Sequence, residues 1–183
     1  DFTVILHPGS SNPDSDRQWV TDRYAELAEE LIKQYGAKII YTGIERDSEL
    51  IDKIQSRMKS PSISLAGKTG LRNFLAVIKL SDLVIGPDTG IIHLAAALDT
   101  PVVMMMGLSD PEDTGPYHPE GKARIARVET LECSPCVHKD PKPEQWEICK
   151  NLRPVKCMTM LTTELVMQQV RILLSNKVSK QQG

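Results

Sequence analysis

What this sequence lacks narrows the field first. It has no G-x-G-x-x-G and no G-x-x-x-x-G-K-[ST], so the dinucleotide fingerprint and the P-loop lose their main support. Gly67-Lys68-Thr69-Gly70 only echoes the second of these, with the wrong spacing. G-x-S-x-G is absent too, which weakens a hydrolase reading. No run approaches the ~20 apolar residues needed to span a bilayer, and the opening residues carry no secretory pattern. A long basic run is missing and the formal net charge is −2, which argues against nucleic acid as a partner. Aromatic residues are only 4% of the chain, so aliphatic side chains must fill most of the core. Position 1 is Asp1 rather than Met, so a fragment or trimmed chain is expected.

What is present reads as an alternation. The 183 residues suit one domain over 1–183, and 40% hydrophobic with 25% charged residues fits an ordinary soluble protein. Short apolar runs predict strands over 3–6, 38–42, 62–65, 83–85 and 101–106. Between them Trp19, Tyr24, Leu27 and Leu31 recur at helical spacing, with Gly36 at the stop position. Leu50, Ile51, Ile54 and Met58 mark a second helix, Leu71, Phe74, Leu75 and Ile78 a third, and the small-residue run 91–98 a fourth. Strands alternating with helices imply a parallel sheet covered on both faces. Right-handed crossovers make that α/β architecture a Rossmann-like, doubly wound sheet. After Gly107 the alternation is expected to end. Residues 109–121 are rich in Pro, Gly and Asp, 131–158 form an irregular cysteine-bearing segment, a last helix begins near Thr162, and 176–183 read as a solvated end.

Ligands of open α/β sheets sit beyond the carboxyl ends of the strands. That rule selects the loops at 7–11, 43–47, 67–70, 87–90 and 107–115. In Asp88-Thr89-Gly90 a strand meets a glycine turn and runs straight into a helix. The backbone N–H groups and dipole at such a helix start suit a diphosphate, with the Thr89 hydroxyl as an extra donor. The alternative is that Asp88 or Thr89 simply caps the helix. His93 lies one turn further in, either as a packed residue or facing a ligand. Arg17 stands just ahead of a predicted helix, where a cation is unfavourable unless an anion is nearby. A guanidinium there matches phosphate oxygens in a fork.

The four cysteines lie at 133, 136, 149 and 157. One C-x-x-C knuckle with two further cysteines is compatible with a tetrahedral thiolate site for structural zinc or iron, which would organise a segment rich in Pro and charge. Free thiols are the alternative, and disulfides are disfavoured in a reducing compartment.

Taken in order, these segments resemble glycosyltransferase family 9, the lipopolysaccharide heptosyltransferases. The resemblance rests on His7-Pro8-Gly9 with Arg17-Gln18-Trp19, on Leu65-Ala66-Gly67-Lys68-Thr69, and on Asp88-Thr89-Gly90 with His93-Leu94-Ala95. It continues through Pro101, Gly107, Thr114-Gly115-Pro116-Tyr117, the Cys133-x-x-Cys136 run and Cys157-Met158. Each motif is weak alone; the ordered set is specific.

The resemblance implies the C-terminal half of a GT-B glycosyltransferase, holding a nucleotide-sugar donor such as ADP-heptose. Arg17 then stands where the family more often has Lys on the donor phosphates, beside Ser10 and Ser11 in the phosphate loop. Thr69 falls where a backbone group meets the adenine, and Asp47, preferred over Glu45, falls at the ribose. Thr89 and Gly90 take the diphosphate, with Asp88 and His93 beside the sugar. The implied reaction is inverting transfer without a catalytic metal, to a lipid-linked glycan acceptor in lipopolysaccharide or other surface glycan synthesis. Its general base would lie on an N-terminal domain missing here, so this chain alone would bind donor and turn over little. A cytoplasmic enzyme, peripheral to the inner membrane when complete, follows from the same kinship. Some autotransporter-modifying members carry a similar cysteine finger. The competing readings are a metal-stapled interaction module without ligand binding and a nucleotide-sugar epimerase-like domain.

Overall fold

Thr3, Val4, Ile5 and Leu6 are a β-branched and aliphatic run that packs well on both faces of a pleated strand, and they form β1 (Thr3–Leu6). The computed structural model describes residues 2–9, 17–118, 121–136, 149 and 155–180. Five further strands follow: β2 (Lys38–Tyr41), β3 (Ile63–Ser64), β4 (Leu83–Pro87), β5 (Val102–Met105) and β6 (Ala123–Ala126). All pair in parallel, in the order β3-β2-β1-β4-β5-β6.

Side chains alternate between the two faces with the period of two that a strand dictates. Val4, Leu6, Leu83, Ile85, Val103 and Met105 enter one core, while Ile5, Val84, Val102 and Met104 enter the other. The first core is roofed by α1 (Thr21–Tyr35), α2 (Ser48–Gln55) and a long C-terminal helix, through Leu27, Ile51 and Val170 among others. The second is roofed by α3 (Leu71–Leu80) and α4 (Gly90–Ala97), through Ile78, Ile92 and Ala95. Two-faced burial explains why the strands read as continuous apolar runs. Gly36 stops α1 as expected, in the left-handed conformation (φ 63°) with its N–H bonded to the Ile32 carbonyl.

The expected doubly wound sheet is therefore present, with three additions past Gly107. β6 forms the edge of the sheet from Ala-Arg-Ile-Ala, a segment with too few large apolar residues to announce a strand. After α5 (Pro111–Thr114) and β6, a short helix α6 (Lys156–Met160) interrupts the segment expected to be irregular, burying Cys157 and Met158. The last helix, α7 (Thr163–Lys180), extends through residues expected to be a solvated end. Among the described residues no helix is long and apolar enough to cross a membrane.

Trp19 anchors the approach to α1. It is 1% exposed, meets Tyr24 edge-on at 5.0 Å, and donates its indole N–H to the Leu161 carbonyl at 2.8 Å. Arg23 donates to the same carbonyl at 2.7 Å. Trp19→Ala should cost ~3–5 kcal/mol through the cavity it leaves. Trp19→Phe should cost less, about 1–2 kcal/mol, because Arg23 still satisfies the carbonyl. Urea denaturation of both variants decides this, and equal losses would contradict it.

Candidate functional site

The chain leaves β1 toward β2 on one side, and leaves β4 toward β5 on the other. Between these strands the loops at their carboxyl ends diverge, and this topological switch point is where open α/β sheets hold ligands. A cleft of about 530 Å³ opens there. His7, Arg17 and Asp47 line it from the β1–β2 side, and Asp88, Gly90 and His93 from the other.

Asp88 ties the two sides together. Its carboxyl, 10% exposed, accepts from the Arg17 Nε at 3.3 Å and from the Ser109 hydroxyl at 2.8 Å, both on Oδ2. His93 Nε2 stands 3.7 Å from Oδ1, beyond direct hydrogen-bond reach. The anion that Arg17 needs is thus supplied within the chain, a source the sequence reading did not consider.

No side chain caps α4. Asp88 faces Arg17 and Ser109 instead, and the Thr89 hydroxyl donates back to the Pro87 carbonyl at 3.2 Å. Neither side-chain cap forms; the Ile92 N–H bonds the Thr89 carbonyl at 3.1 Å, and the N–H groups of Gly90 and Ile91 have the outward character of a helix start. The hydroxyl of Thr89, expected as a further donor to the ligand, is already engaged. Gly86 lets the two loops approach, since a Cβ there would lie 3.2 Å from the His7 carbonyl oxygen.

The opposite wall is built around Asp47. The carboxylate accepts the Ile44 N–H at 2.9 Å while its own N–H bonds the Ile44 carbonyl at 2.9 Å. It lies against two glycines: a Cβ on Gly9 would meet Oδ2 at 2.5 Å, and one on Gly43 at 2.8 Å. Any larger residue at either position would push the acid away. An acid at the end of the second strand is where Rossmann-like domains bond ribose hydroxyls. Glu45 turns toward Gly67 and does not line the cleft. Ile44, Phe74 and Leu94 complete the lining with apolar surface.

Arg17, Asp47, Asp88, Thr89, Gly90 and His93 are thus among the residues that line the cleft. Thr69 is not: it sits half-buried in the turn before α3 and does not line the cleft. Ser10 and Ser11 lie outside the described residues. His7, Ile44, Arg46, Phe74, Leu94 and Ser109 belong to the site or its support and were given no individual role, although His7, Ile44, Arg46 and Ser109 fall in loops selected above. His7 had a signal, since it opens a loop after a strand; the apolar wall had none beyond its place in helices.

The cysteines are only partly gathered. None of the four is joined in a disulfide; Cys157 is buried and the others are half-buried. Burial pushes the Cys157 thiol up to about 12, and Cys136 and Cys149 are near enough to add to that rise. Among the described residues, no three His, Cys, Asp or Glu side chains converge closely enough to hold a metal ion.

A parallel 3-2-1-4-5-6 sheet with a cleft at its switch point defines a Rossmann-like ligand-binding domain. Comparison with known proteins narrows this. The chain belongs to glycosyltransferase family 9 (heptosyltransferase), whose sequence model matches residues 2–147. It is 32% identical over 117 residues to a Haemophilus influenzae protein described as lipopolysaccharide core heptosyltransferase OpsX, covering 63% of this chain and 33% of that one. A Campylobacter jejuni protein described as lipooligosaccharide heptosyltransferase 2 is 29% identical over 174 residues, covering 93% of this chain and 50% of that one. The solved structure of E. coli ADP-heptose lps heptosyltransferase II is similar with a TM-score of 0.75 at 24% identity, over 96% of this chain and 47% of that one. This last likeness speaks to fold. The chain spans about a third to a half of the length of these relatives.

His7 gives the site a pH signature. Burial at the cleft floor pushes its imidazole down to about 4, against the opposing pull of Asp47 and a bond with Thr42. The folded state thus holds His7 neutral, so its contribution is complete above pH 6.5 and is lost as pH falls toward 4. Stability should drop by about 1 kcal/mol between pH ~6.5 and ~5.5 from this group. Urea titrations of the wild type and His7→Gln should differ by that slope; parallel curves would remove His7 as the cause.

Proposed function

We propose that this chain is the nucleotide-sugar donor-binding half of an inverting heptosyltransferase of GT-B architecture. One observation carries the reading: an uncapped helix start at Gly90, the Arg17 guanidinium and the glycine-cradled Asp47 carboxylate line a single cleft at the switch point. The diphosphate would lie at Thr89 and Gly90 with Arg17 beside it, in contact with Ser10 and Ser11. Asp47 would take the ribose hydroxyls, and Ile44 and Phe74 offer apolar surface for the base. Asp88 and His93 would face the sugar. ADP-heptose is the donor that the family and its named relatives suggest.

In the transfer, an acceptor hydroxyl attacks the anomeric carbon, and the bond to the nucleoside diphosphate breaks with inversion. Negative charge grows on the departing diphosphate. The dipole of α4 and the Arg17 charge, already in place, would stabilise it without a catalytic metal. The general base for the acceptor hydroxyl would come from a second, N-terminal domain. The acceptor would be a lipid-linked glycan in lipopolysaccharide or related surface glycan synthesis, with the whole enzyme at the cytoplasmic side of the inner membrane. Zinc or iron at Cys133, Cys136, Cys149 and Cys157 would serve structure only, and metal analysis of the purified protein tests it: less than stoichiometric metal removes it.

The donor reading is tested by titrating the chain with ADP, UDP, GDP and ADP-heptose, following thermal unfolding and heat of binding. A ligand held only by the folded form raises its stability, by about 2.7 kcal/mol at a hundredfold excess over Kd. ADP and ADP-heptose should stabilise selectively, and Arg17→Ala should weaken both by about tenfold or more. Saturable binding of none of the four would favour an interaction module.

A further inference from the structure

The cysteine-bearing segment and the cleft look separate in the sequence, yet they meet at residues 107–109. Ser109 follows β5 and is 4% exposed, and its hydroxyl donates to Asp88 Oδ2 at 2.8 Å. That same oxygen accepts Arg17. Two donors on one oxygen fix the carboxylate plane, leaving Oδ1 toward His93.

Ser109 is in turn held from behind. The Ser134 hydroxyl donates to the Gly107 carbonyl at 2.5 Å, and the Cys136 N–H donates to the Leu108 carbonyl at 3.0 Å. Cys157 packs its sulfur on Gly107 so closely that a Cβ there would lie 2.5 Å from Sγ. Arg127, at the end of β6, donates to the Ser134 hydroxyl at 3.3 Å. A continuous set of contacts therefore runs from the cysteine-bearing segment through residues 107–109 to Asp88 and Arg17.

We infer that Ser109 is a positioning residue of the cleft: held by the cysteine-bearing segment, its hydroxyl fixes Asp88 and thereby sets how Arg17 is presented to a ligand phosphate. The inference rests on the donor reading above. The mechanism is electrostatic. With the Ser109 O–H in place, Asp88 shares its charge between two donors, and Arg17 keeps part of its charge for an incoming diphosphate. Without that donor the carboxylate turns fully to Arg17, which must then leave a stronger partner before it can meet phosphate.

The probe is ADP, titrated calorimetrically into the wild-type chain and its variants. Ser109→Ala should weaken ADP by about tenfold, the scale of one hydrogen bond to a charged group. Ser109→Thr, which keeps a hydroxyl, should recover most of it. Placed on Arg17→Ala, Ser109→Ala should have almost no further effect, because its path to the ligand runs through Arg17. A loss of packing alone would instead add in both backgrounds. Ser134→Ala, which leaves Ser109 and Asp88 intact, should weaken ADP about threefold through the same chain, and it serves if Ser109→Ala does not fold. Unchanged affinity in Ser109→Ala and Ser134→Ala, with Arg17→Ala still impaired, overturns the inference and leaves the donor reading standing. Additive losses in the double variant overturn it too. Failure of the wild type to bind ADP removes both.

Discussion

The hydrogen-bonded ladder between β1 and β4 is the constraint on which the rest depends. Val4, Ile5, Leu6, Leu83, Val84 and Ile85 pair there and none is exposed to solvent. Their side chains alternate into two cores, so a slip of one residue would exchange the contents of both. The register is locked from two sides at once. Because these strands lead away to opposite edges of the sheet, fixing them also fixes where the loops after them part. The cleft is a by-product of topology, and its position is set before any polar residue is chosen.

Polar residues then exploit a boundary they do not create. His7 and Asp88 emerge at the carboxyl ends of adjacent strands, and the glycine at position 86 lets them come close. Asp47 reaches the same space only because Gly9 and Gly43 have no side chains to displace it. Three glycines thus act as clearances around two acids and an imidazole. Substituting them would not remove a functional group, but it would move one.

Those relations divide what was legible in the sequence from what was not. β1 and α1 were legible because burial imposes a period, and Val4–Leu6 or Leu27 and Leu31 display it. Asp88-Thr89-Gly90 was legible because a strand, a glycine turn and a helix leave a local signature. β6 was not, since an edge strand with half-exposed Ala and Arg needs little hydrophobicity and is held by its neighbour β5. The role of Ser109 left no local mark: its partner is 21 residues away in sequence and its supports lie still further along. Thr69, given its role by a motif match, stands outside the cleft lining. Local patterns reveal elements and their ends; a hydrogen bond between two loops becomes visible only when the sheet brings them together.

The charge balance around Asp88 follows from the same placement. A carboxylate just ahead of α4 is favoured by the helix dipole, which adds to what Arg17 and Ser109 give Asp88. Arg17, ahead of α1, is disfavoured by that helix's dipole and gains from standing beside Asp88. A diphosphate arriving at Gly90 would compete with Asp88 for one helix dipole and for one guanidinium. It would carry more charge than the carboxylate and would compete best if Asp88 were already satisfied elsewhere. Ser109 supplies that satisfaction from a buried position, and a buried hydroxyl loses little entropy in doing so. The site therefore depends on a neutral donor that never touches the ligand. Among the described residues, the segment bearing the cysteines, remote in sequence, reaches the cleft through residues 107–109 and the Ser109 hydroxyl.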